Sequence, residues 1–241
     1  MKYSSTDEEK DGLLGESRDG TIVYKRLPTA GPTLDTAIRV LNEAFYPEEP
    51  LCRALQVTQS PQAICDLDAL FLGMAQDYLS VVALDAMSHK VVGVCFNKLE
   101  TKPMEGNLDF YEVFKKRKCK EDRIKFFIDV LAEETAGIDL FEKYKTDAVV
   151  DLVCLTVLPD FKRRGIGKSL MEHSLELARR TNAASAACVV CSSTYTLKMA
   201  KSIGFTELTS VPYSQYIYEG RQFSDVIRDH ASVVLVAKKL Q

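Results

Sequence analysis

The sequence lacks the features that mark membrane, exported and metal-binding proteins. It has no run of about 18 apolar residues, so we expect no membrane-spanning helix. Residues 1–20 are polar and charged, which is unlike a secretory signal peptide. The seven cysteines show no framework spacing and the three histidines lie far apart, so neither a disulfide framework nor a zinc or iron signature is present. We therefore expect a protein of the reducing cytoplasm, without a bound metal.

An excess of positive charge is also missing. The net charge is −3, which disfavours nucleic acid as a partner because no basic face dominates. Hydrophobic residues make up 46% and charged residues 27% of the chain, as in an ordinary soluble globular protein. We expect residues 1–20 to be a disordered polar leader and residues 21–241 to form a single domain.

The most informative stretch is a basic loop with two glycines. The apolar residues 147–157 before it predict a buried strand, and residues 167–180 predict an amphipathic helix. Gly165 and Gly167 leave room for an anion to approach the free backbone N–H groups at the start of that helix. Positive charge surrounds them, from Lys162, Arg163, Arg164 and Lys168. The stretch indicates a phosphate site, and a solvated basic turn is the alternative.

The spacing of the glycines distinguishes between the known classes of phosphate-binding loop. A nucleotide P-loop needs G-x-x-x-x-G-K-[ST], and a dinucleotide fingerprint needs a third glycine where this chain has Leu170. The segment from Lys162 to Gly167 instead resembles the acyl-CoA loop [QR]-x-x-G-x-[GA] of the GCN5-related N-acetyltransferase (GNAT) superfamily. Lys162 stands where that family has Gln or Arg, which keeps the charge but loses the planar guanidinium.

Strands and helices along the chain predict an α/β fold around one mixed sheet. Strands are predicted at residues 78–84 and 91–99, and the hairpin from Ser80 to Leu99 resembles the second and third strands of the family. Ser202 to Phe205 resembles its helix-end x-x-G-F. A further strand is predicted at residues 213–218. The resemblance implies a GNAT-type fold: a mixed, mostly antiparallel central sheet with helices on both faces and a splayed central strand.

The resemblance also implies acetyl-CoA as the cosubstrate. In this family the splayed strand pairs with the pantetheine amides and commonly supplies an oxyanion donor, while the glycine loop binds the pyrophosphate. The residues implied to contact the cofactor are Leu155, Thr156, Val157, Arg163, Arg164, Gly165, Ile166, Gly167, Lys168 and Ser169.

A narrower resemblance lies at residues 45–51, which read FYPEEPL. They resemble the F-[FY]-x-[DE]-E-P-L segment of the insect arylalkylamine N-acetyltransferases, the dopamine and agmatine acetylating enzymes. In that family the Glu before Pro-Leu is the general base, which by position is Glu49. We expect Glu48 and Tyr46 to contact the substrate; without the resemblance, both glutamates fit a solvated helix end. A carboxylate suits the chemistry because an alkylamine, with a pKa of about 10, arrives as ammonium and must lose a proton before it attacks a thioester.

Two hydroxyls precede the Gly-Phe pair at the family's spacing, and these are Ser192 and Thr196. The resemblance implies that they order the substrate or help to protonate the leaving thiolate. Capping of the predicted helix is the structural alternative for Ser192. Ala200 stands where many acetyltransferases carry a general-acid tyrosine, which leaves Tyr195 as the nearest candidate for that role.

The sequence thus predicts an N-acetyltransferase that moves the acetyl group of acetyl-CoA to the primary amine of a small arylalkylamine or polyamine-like substrate. We expect ordered binding and direct transfer, because no Cys-His pair at catalytic spacing supports an acyl-cysteine route. Two alternatives stay open: transfer to a protein or peptide amine, and a non-catalytic CoA-binding module. We expect a cytoplasmic monomer with no nucleic-acid, membrane or metal partner.

Overall fold

An eight-stranded mixed sheet forms the centre of the computed structural model, which describes residues 12–102, 108–135 and 137–240. Its strand order is β1-β2-β3-β4-β5-β6-β10-β7, and only the pairing of β5 with β6 is parallel. The strands are β1 Leu13–Glu16, β2 Ile22–Arg26, β3 Val81–Asp85, β4 Val91–Thr101, β5 Ala148–Val157, β6 Ala186–Cys191, β7 Thr206–Pro212 and β10 Ser232–Lys239. A separate hairpin joins β8 Ile217–Tyr218 to β9 Arg221–Gln222.

Helices cover both faces of the sheet. They are α1 Pro32–Val40, α2 Pro50–Ala54, α3 Pro61–Ala75, α4 Phe110–Arg117, α5 Asp122–Thr135, α6 Leu140–Tyr144, α7 Ile166–Arg180, α8 Thr194–Ser202 and α9 Phe223–Val226. On one face, Phe71 of α3 packs with Phe96 of β4 in a buried core. On the other face, Leu170 of α7 packs with Val81 of β3 in a second core. This layered arrangement confirms the fold class predicted from the sequence.

The central strand β5 leaves its neighbour β6 part-way along. The two pair only from Val149, opposite Ala186, to Asp151, opposite Cys188. On its other edge β5 stays paired with β4 as far as Val157. Its partners there jump from Cys154 to Leu152, so Val153 is an extra, unpaired residue. Such a bulge bends a strand, and here it lies where β5 and β6 separate. The second half of β5 is thereby left with one open edge, which is the predicted splay.

Two predicted segments are wrong in part. Residues 12–20 are not a disordered leader, because Leu13–Glu16 pairs with β2 and Leu14 packs against the second core; residues 1–11 lie outside the described part of the chain. The predicted strand at residues 213–218 begins as a 3₁₀ turn, Tyr213–Gln215. Tyr213 and Tyr216 are both buried, and a spacing of three puts them on one side of such a turn, whereas a strand would place them on opposite faces.

Candidate active site

The glycine loop forms the N-terminus of α7 as predicted. Gly165 lies just before the helix with φ = 80°, and Arg163 also has a positive φ of 63°. The first intrahelical bond runs from the Ser169 N–H to the Gly165 carbonyl at 3.1 Å, so the N–H groups of Ile166, Gly167 and Lys168 have no acceptor within the helix. These groups and the positive end of a 15-residue helix suit an anion.

The other loop residues have side chains that are either exposed to solvent or turned towards the rest of the fold. Lys162, Arg163, Arg164 and Lys168 are exposed, so their charges face solvent beside the uncapped helix start. The Ser169 hydroxyl is hydrogen-bonded with Tyr24, and the Ile166 side chain is buried. Among the predicted contacts, Ser169 is therefore turned towards the fold, and Ile166 offers only its backbone.

The two glycines differ in what a side chain at their position would cost. At Gly165 an added Cβ would meet nothing within 4 Å, but φ = 80° is a conformation that other residues rarely adopt. At Gly167 an added Cβ would lie 3.5 Å from the Met199 sulfur and 3.8 Å from a Leu155 methyl, which is ordinary contact. The fold thus demands glycine at the first position and has space for alanine at the second.

Glu49 is held in a buried position by the turn that starts α2. Its backbone is extended, Pro50 begins the helix, and its carboxylate accepts a hydrogen bond from the Cys52 N–H at 2.5 Å. The residue is only 7% exposed. Burial raises the pKa of Glu49 above its ordinary value, and hydrogen bonds from Cys52 and from the Ser192 hydroxyl oppose that rise. A buried carboxylate with a raised pKa has the character of a general base.

Glu49, Ser192 and Thr196 meet at one small cavity, which we call the inner cavity. It has a volume of about 40 Å³ and lies where β5 and β6 separate, so its walls come from both strands. The apolar residues that line it are Phe45, Phe127, Leu131, Leu152, Val153, Leu155, Met171, Val189 and Val190. Three residues predicted for catalysis, distant in sequence, therefore share a mostly apolar space beside the open edge of β5.

The hydroxyl that caps α8 belongs to Ser193. Its oxygen accepts from the Thr196 N–H at 3.1 Å and lies 2.9 Å from the Thr196 hydroxyl. The neighbouring Ser192 is not the cap: its hydroxyl bonds to Glu49, and its carbonyl accepts from the Tyr213 hydroxyl. The capping role that the sequence offered as an alternative for Ser192 is thus filled by the next residue.

The two residues predicted to contact the substrate lie apart from the inner cavity. Glu48 is on the surface, where its carboxylate forms an ion pair with Lys162 of the glycine loop. Tyr46 is 1% exposed, and its hydroxyl donates to Asp68 at 2.7 Å. Tyr46 is therefore a core residue and is not among the residues that line the inner cavity; the substrate contact expected of it stays a prediction. The neighbouring Phe45 lines the inner cavity instead.

Tyr195 stands outside this group. It is 73% exposed, and its ring meets the His230 ring edge-on at a centroid distance of 5.6 Å. His230 in turn accepts a hydrogen bond at Nδ1 from the Thr194 N–H at 3.3 Å, which fixes the start of α8. Tyr195 is not among the residues that line the inner cavity.

A second, larger cavity was not predicted from the sequence. It has a volume of about 390 Å³ and adjoins the inner cavity, because both are lined by Leu131, Val153 and Val190. Its charged lining consists of one lysine, Lys102, and five carboxylates, Glu100, Asp109, Glu112, Asp139 and Asp151. We call it the acidic cavity. Asp151 was detectable in principle, since it is the lone charge in the apolar strand Ala148–Val157.

Comparison with known proteins agrees with this geometry. Residues 95–205 match the model of the Acetyltransferase (GNAT) family. The fold is similar to that of arylalkylamine N-acetyltransferase 2 from Aedes aegypti, with a TM-score of 0.79 and 23% identity over 91% of this chain and 99% of that chain. It is also similar to Drosophila melanogaster polyamine N-acetyltransferase, with a TM-score of 0.72 and 18% identity over 91% of this chain and 100% of that one.

The resemblance inferred from the sequence, to the GNAT superfamily and within it to the insect arylalkylamine N-acetyltransferases, is thereby confirmed. At these identities the structural matches show the fold, while the substrate has to be inferred from the site. Within residues 12–102, 108–135 and 137–240, no helix is long and apolar enough to cross a membrane. The same described residues contain no cluster of His, Cys, Asp and Glu that could hold a metal ion.

Proposed function

We propose that the protein transfers the acetyl group of acetyl-CoA directly to the primary amine of a small arylalkylamine or polyamine-like substrate. The observation that carries the proposal is the convergence of Glu49, Ser192 and Thr196 on the inner cavity, next to the open edge of β5. A base, two hydroxyls and a free strand edge are the parts that acyl transfer to an amine requires.

The open edge and the glycine loop fit the cofactor. Beyond Asp151, β5 has unpaired backbone groups on the side of β6, which suit an extended amide-containing chain. Three free N–H groups at the start of α7 and four exposed basic side chains suit a pyrophosphate. When bound there, acetyl-CoA would supply the activated acetyl thioester. Leu155 already lines the inner cavity from this edge.

Glu49 is proposed as the general base. An amine substrate reaches the site as ammonium, and the buried carboxylate attracts that cation and then accepts its proton. Burial raises the pKa of Glu49, which makes it a better proton acceptor than an exposed carboxylate, and the hydrogen bonds from Cys52 and Ser192 hold it in place. Its exposed neighbour Glu48, paired with Lys162, lacks this setting.

The two hydroxyls are proposed to act on the leaving group and the substrate. The Ser192 hydroxyl touches Glu49, so a proton accepted by the base can pass to it over a single hydrogen bond. Thr196 lines the same cavity, with its hydroxyl 2.9 Å from that of Ser193. A proton relay from Glu49 through Ser192 would return a proton to the thiolate side without bulk water.

Transfer to a protein or peptide amine is the second candidate, and a non-catalytic CoA-binding module is the third. The enclosed base favours a small amine, because Glu49 is reached through a cavity and not from an open surface groove. We further propose that the protein acts as a monomer in the cytoplasm.

A panel of amines tests the proposal. Release of free CoA thiol is measured with acetyl-CoA and, in turn, phenylalkylamines, linear polyamines and lysine-containing peptides. Turnover of a small amine supports the proposal, and turnover of peptides alone supports the second candidate. A calorimetric titration with CoA is the control. CoA binding without turnover of any amine would support the third candidate, a non-catalytic CoA-binding module.

A further inference from the structure

We propose that Glu100 and Asp151 bind a second cationic group of the substrate, so that the preferred acceptor is an elongated diamine or polyamine. This inference rests on the proposed function, because it assigns the acidic cavity as the distal part of the amine site. On this proposal, the site selects an acceptor that carries a positive charge at both ends.

Three of the five carboxylates in the acidic cavity have structural partners. Asp109 caps α4 by accepting from the Glu112 N–H at 2.8 Å, and Asp139 caps α6 by accepting from the Glu142 N–H at 2.9 Å. Glu112 is paired with Lys115 at 2.6 Å and Lys116 at 3.1 Å. Asp109 and Asp139 are thus bound to helix starts, and Glu112 is bound in surface ion pairs.

Glu100 and Asp151 differ from these three. Glu100 Oε1 and Asp151 Oδ1 are buried, and neither atom has a hydrogen-bond partner among the residues that the structure describes. The other oxygen of Asp151 accepts from the Tyr111 hydroxyl at 3.1 Å. The nearby ammonium of Lys98 is paired with Asp77 at 2.6 Å. A buried carboxylate oxygen without a partner is unfavourable unless a donor arrives, and a ligand cation would supply one.

Burial disfavours the ionised form of both carboxyl groups. Burial raises the pKa of Asp151 to about 6. Burial and the neighbouring Asp151 carboxylate together raise the pKa of Glu100 to about 8. Below pH 8 Glu100 therefore mostly keeps its proton and Asp151 carries the charge, and a bound ammonium group would favour the ionised form of both. The Asp151 charge would repel the phosphates of CoA, which favours the cofactor at the basic end of β5 and the amine at the acidic end.

One face of β6 joins the acidic cavity to the proposed base. Cys188 lines the acidic cavity, Val190 lines both cavities, and Ser192 lines the inner cavity, where its hydroxyl is hydrogen-bonded to Glu49. Alternate residues of a strand share a face, so these three side chains form one row. Four residues of nearly extended chain span about 13 Å.

The space between the two ends is apolar. Ile128, Leu140, Phe141 and Val149 line the acidic cavity, and Val153 and Val190 continue into the inner cavity. Such walls suit a methylene chain. The volume of about 390 Å³ lies within the range of pockets that hold small ligands.

The test uses two amines of equal chain length: diaminooctane, with an ammonium group at each end, and octylamine, with one. On the full chain we expect a much lower KM for the diamine. Asp151→Asn and Glu100→Gln should each raise the diamine KM by about tenfold or more, the usual effect of removing a charged hydrogen-bond partner. The KM for octylamine should stay nearly constant. Asp122→Asn, at an exposed carboxylate, is the control for the lost charge.

Folding is followed by the melting temperature. Because Asp151 is an incompletely paired buried acid, Asp151→Asn should melt at or above the wild-type temperature, whereas a purely structural role predicts a lower one. A wild type that prefers octylamine or phenethylamine, or variants that change both KM values equally, would overturn the inference while leaving the proposed function intact.

If no amine is turned over, the proposed function fails, and calorimetric titration of diaminooctane into wild type and Asp151→Asn decides the binding question. Binding that is lost in the variant supports the subsite, and equal binding or none contradicts it.

Discussion

The Ser192 hydroxyl is hydrogen-bonded to the Glu49 carboxylate, which connects the end of β6 to the turn before α2. This bond opposes the effect of burial on the pKa of Glu49. We therefore expect Ser192→Ala to raise the pKa of Glu49 further and to move the acid limb of the kcat/KM profile to higher pH. kcat should also fall if the hydroxyl relays a proton.

The adjacent serine provides a matched control for that change. Ser193 caps α8, so Ser193→Ala should lower stability by about 1 kcal/mol. In a domain of this size that appears as a fall of about 2–4 °C in melting temperature. The opposite pattern, with lost stability in Ser192→Ala and lost rate in Ser193→Ala, would contradict the assignment.

The two loop glycines should respond differently to alanine. Gly165→Ala places a side chain at φ = 80°, a strain of roughly 1–2 kcal/mol, and should weaken CoA binding by distorting the loop. Gly167→Ala should bind CoA nearly as the wild type does, because its Cβ would make ordinary contacts. Gly167→Val adds methyl groups to that space and should raise the KM for acetyl-CoA. Calorimetry with CoA measures all three, and equal losses at both alanine positions would contradict this difference.

The acidic cavity predicts an unusual dependence of stability on pH. The pKa of Glu100 rises from an ordinary 4.5 to about 8 on folding, through burial and the Asp151 carboxylate. Between these values the unfolded chain has lost the proton while the folded chain keeps it, so stability falls as pH rises across this window. Asp109 and Asp77 act in the same direction, and Lys98 opposes them.

Glu100→Gln should remove that fall. Its melting temperature should match the wild type near pH 4.5 and exceed it increasingly towards pH 8. Thermal melts of the two proteins across this range measure the difference, with Asp122→Asn as the control for an exposed acid. Parallel curves for wild type and Glu100→Gln would show that Glu100 titrates normally.

The sequence was sufficient for the order of the central elements and for the glycine loop. An apolar run, two glycines and an amphipathic helix are local signals, and the structure has β5, the loop and α7 in that order. The convergence of Glu49 with Ser192 could be expected only through the resemblance, because 143 positions separate the two residues and no local pattern connects them.

Other features depend on contacts that a single sequence does not reveal. Tyr46 and Glu48 share the segment of Glu49, yet one is buried against Asp68 and the other pairs with Lys162 on the surface. Of two adjacent serines, Ser193 accepts from the Thr196 N–H and caps α8, while Ser192 does not. The diagonal placement of Glu100, which lies opposite Val149, and Asp151, which lies opposite Lys98, follows only from the register of β4 and β5.

The most direct test of the central claim is the kcat/KM of acetyl transfer by wild type, Glu49→Gln and Glu48→Gln. Glutamine keeps an oxygen for the Cys52 N–H but cannot accept the amine proton, so Glu49→Gln should fold normally and lose a factor of about 10²–10⁴ in kcat/KM. The acid limb of the wild-type pH profile should lie above the ordinary glutamate value and vanish in this variant. Glu48→Gln should keep a kcat/KM near that of the wild type. A large loss of kcat/KM in Glu48→Gln, together with near-normal activity in Glu49→Gln, would contradict the assignment of the base.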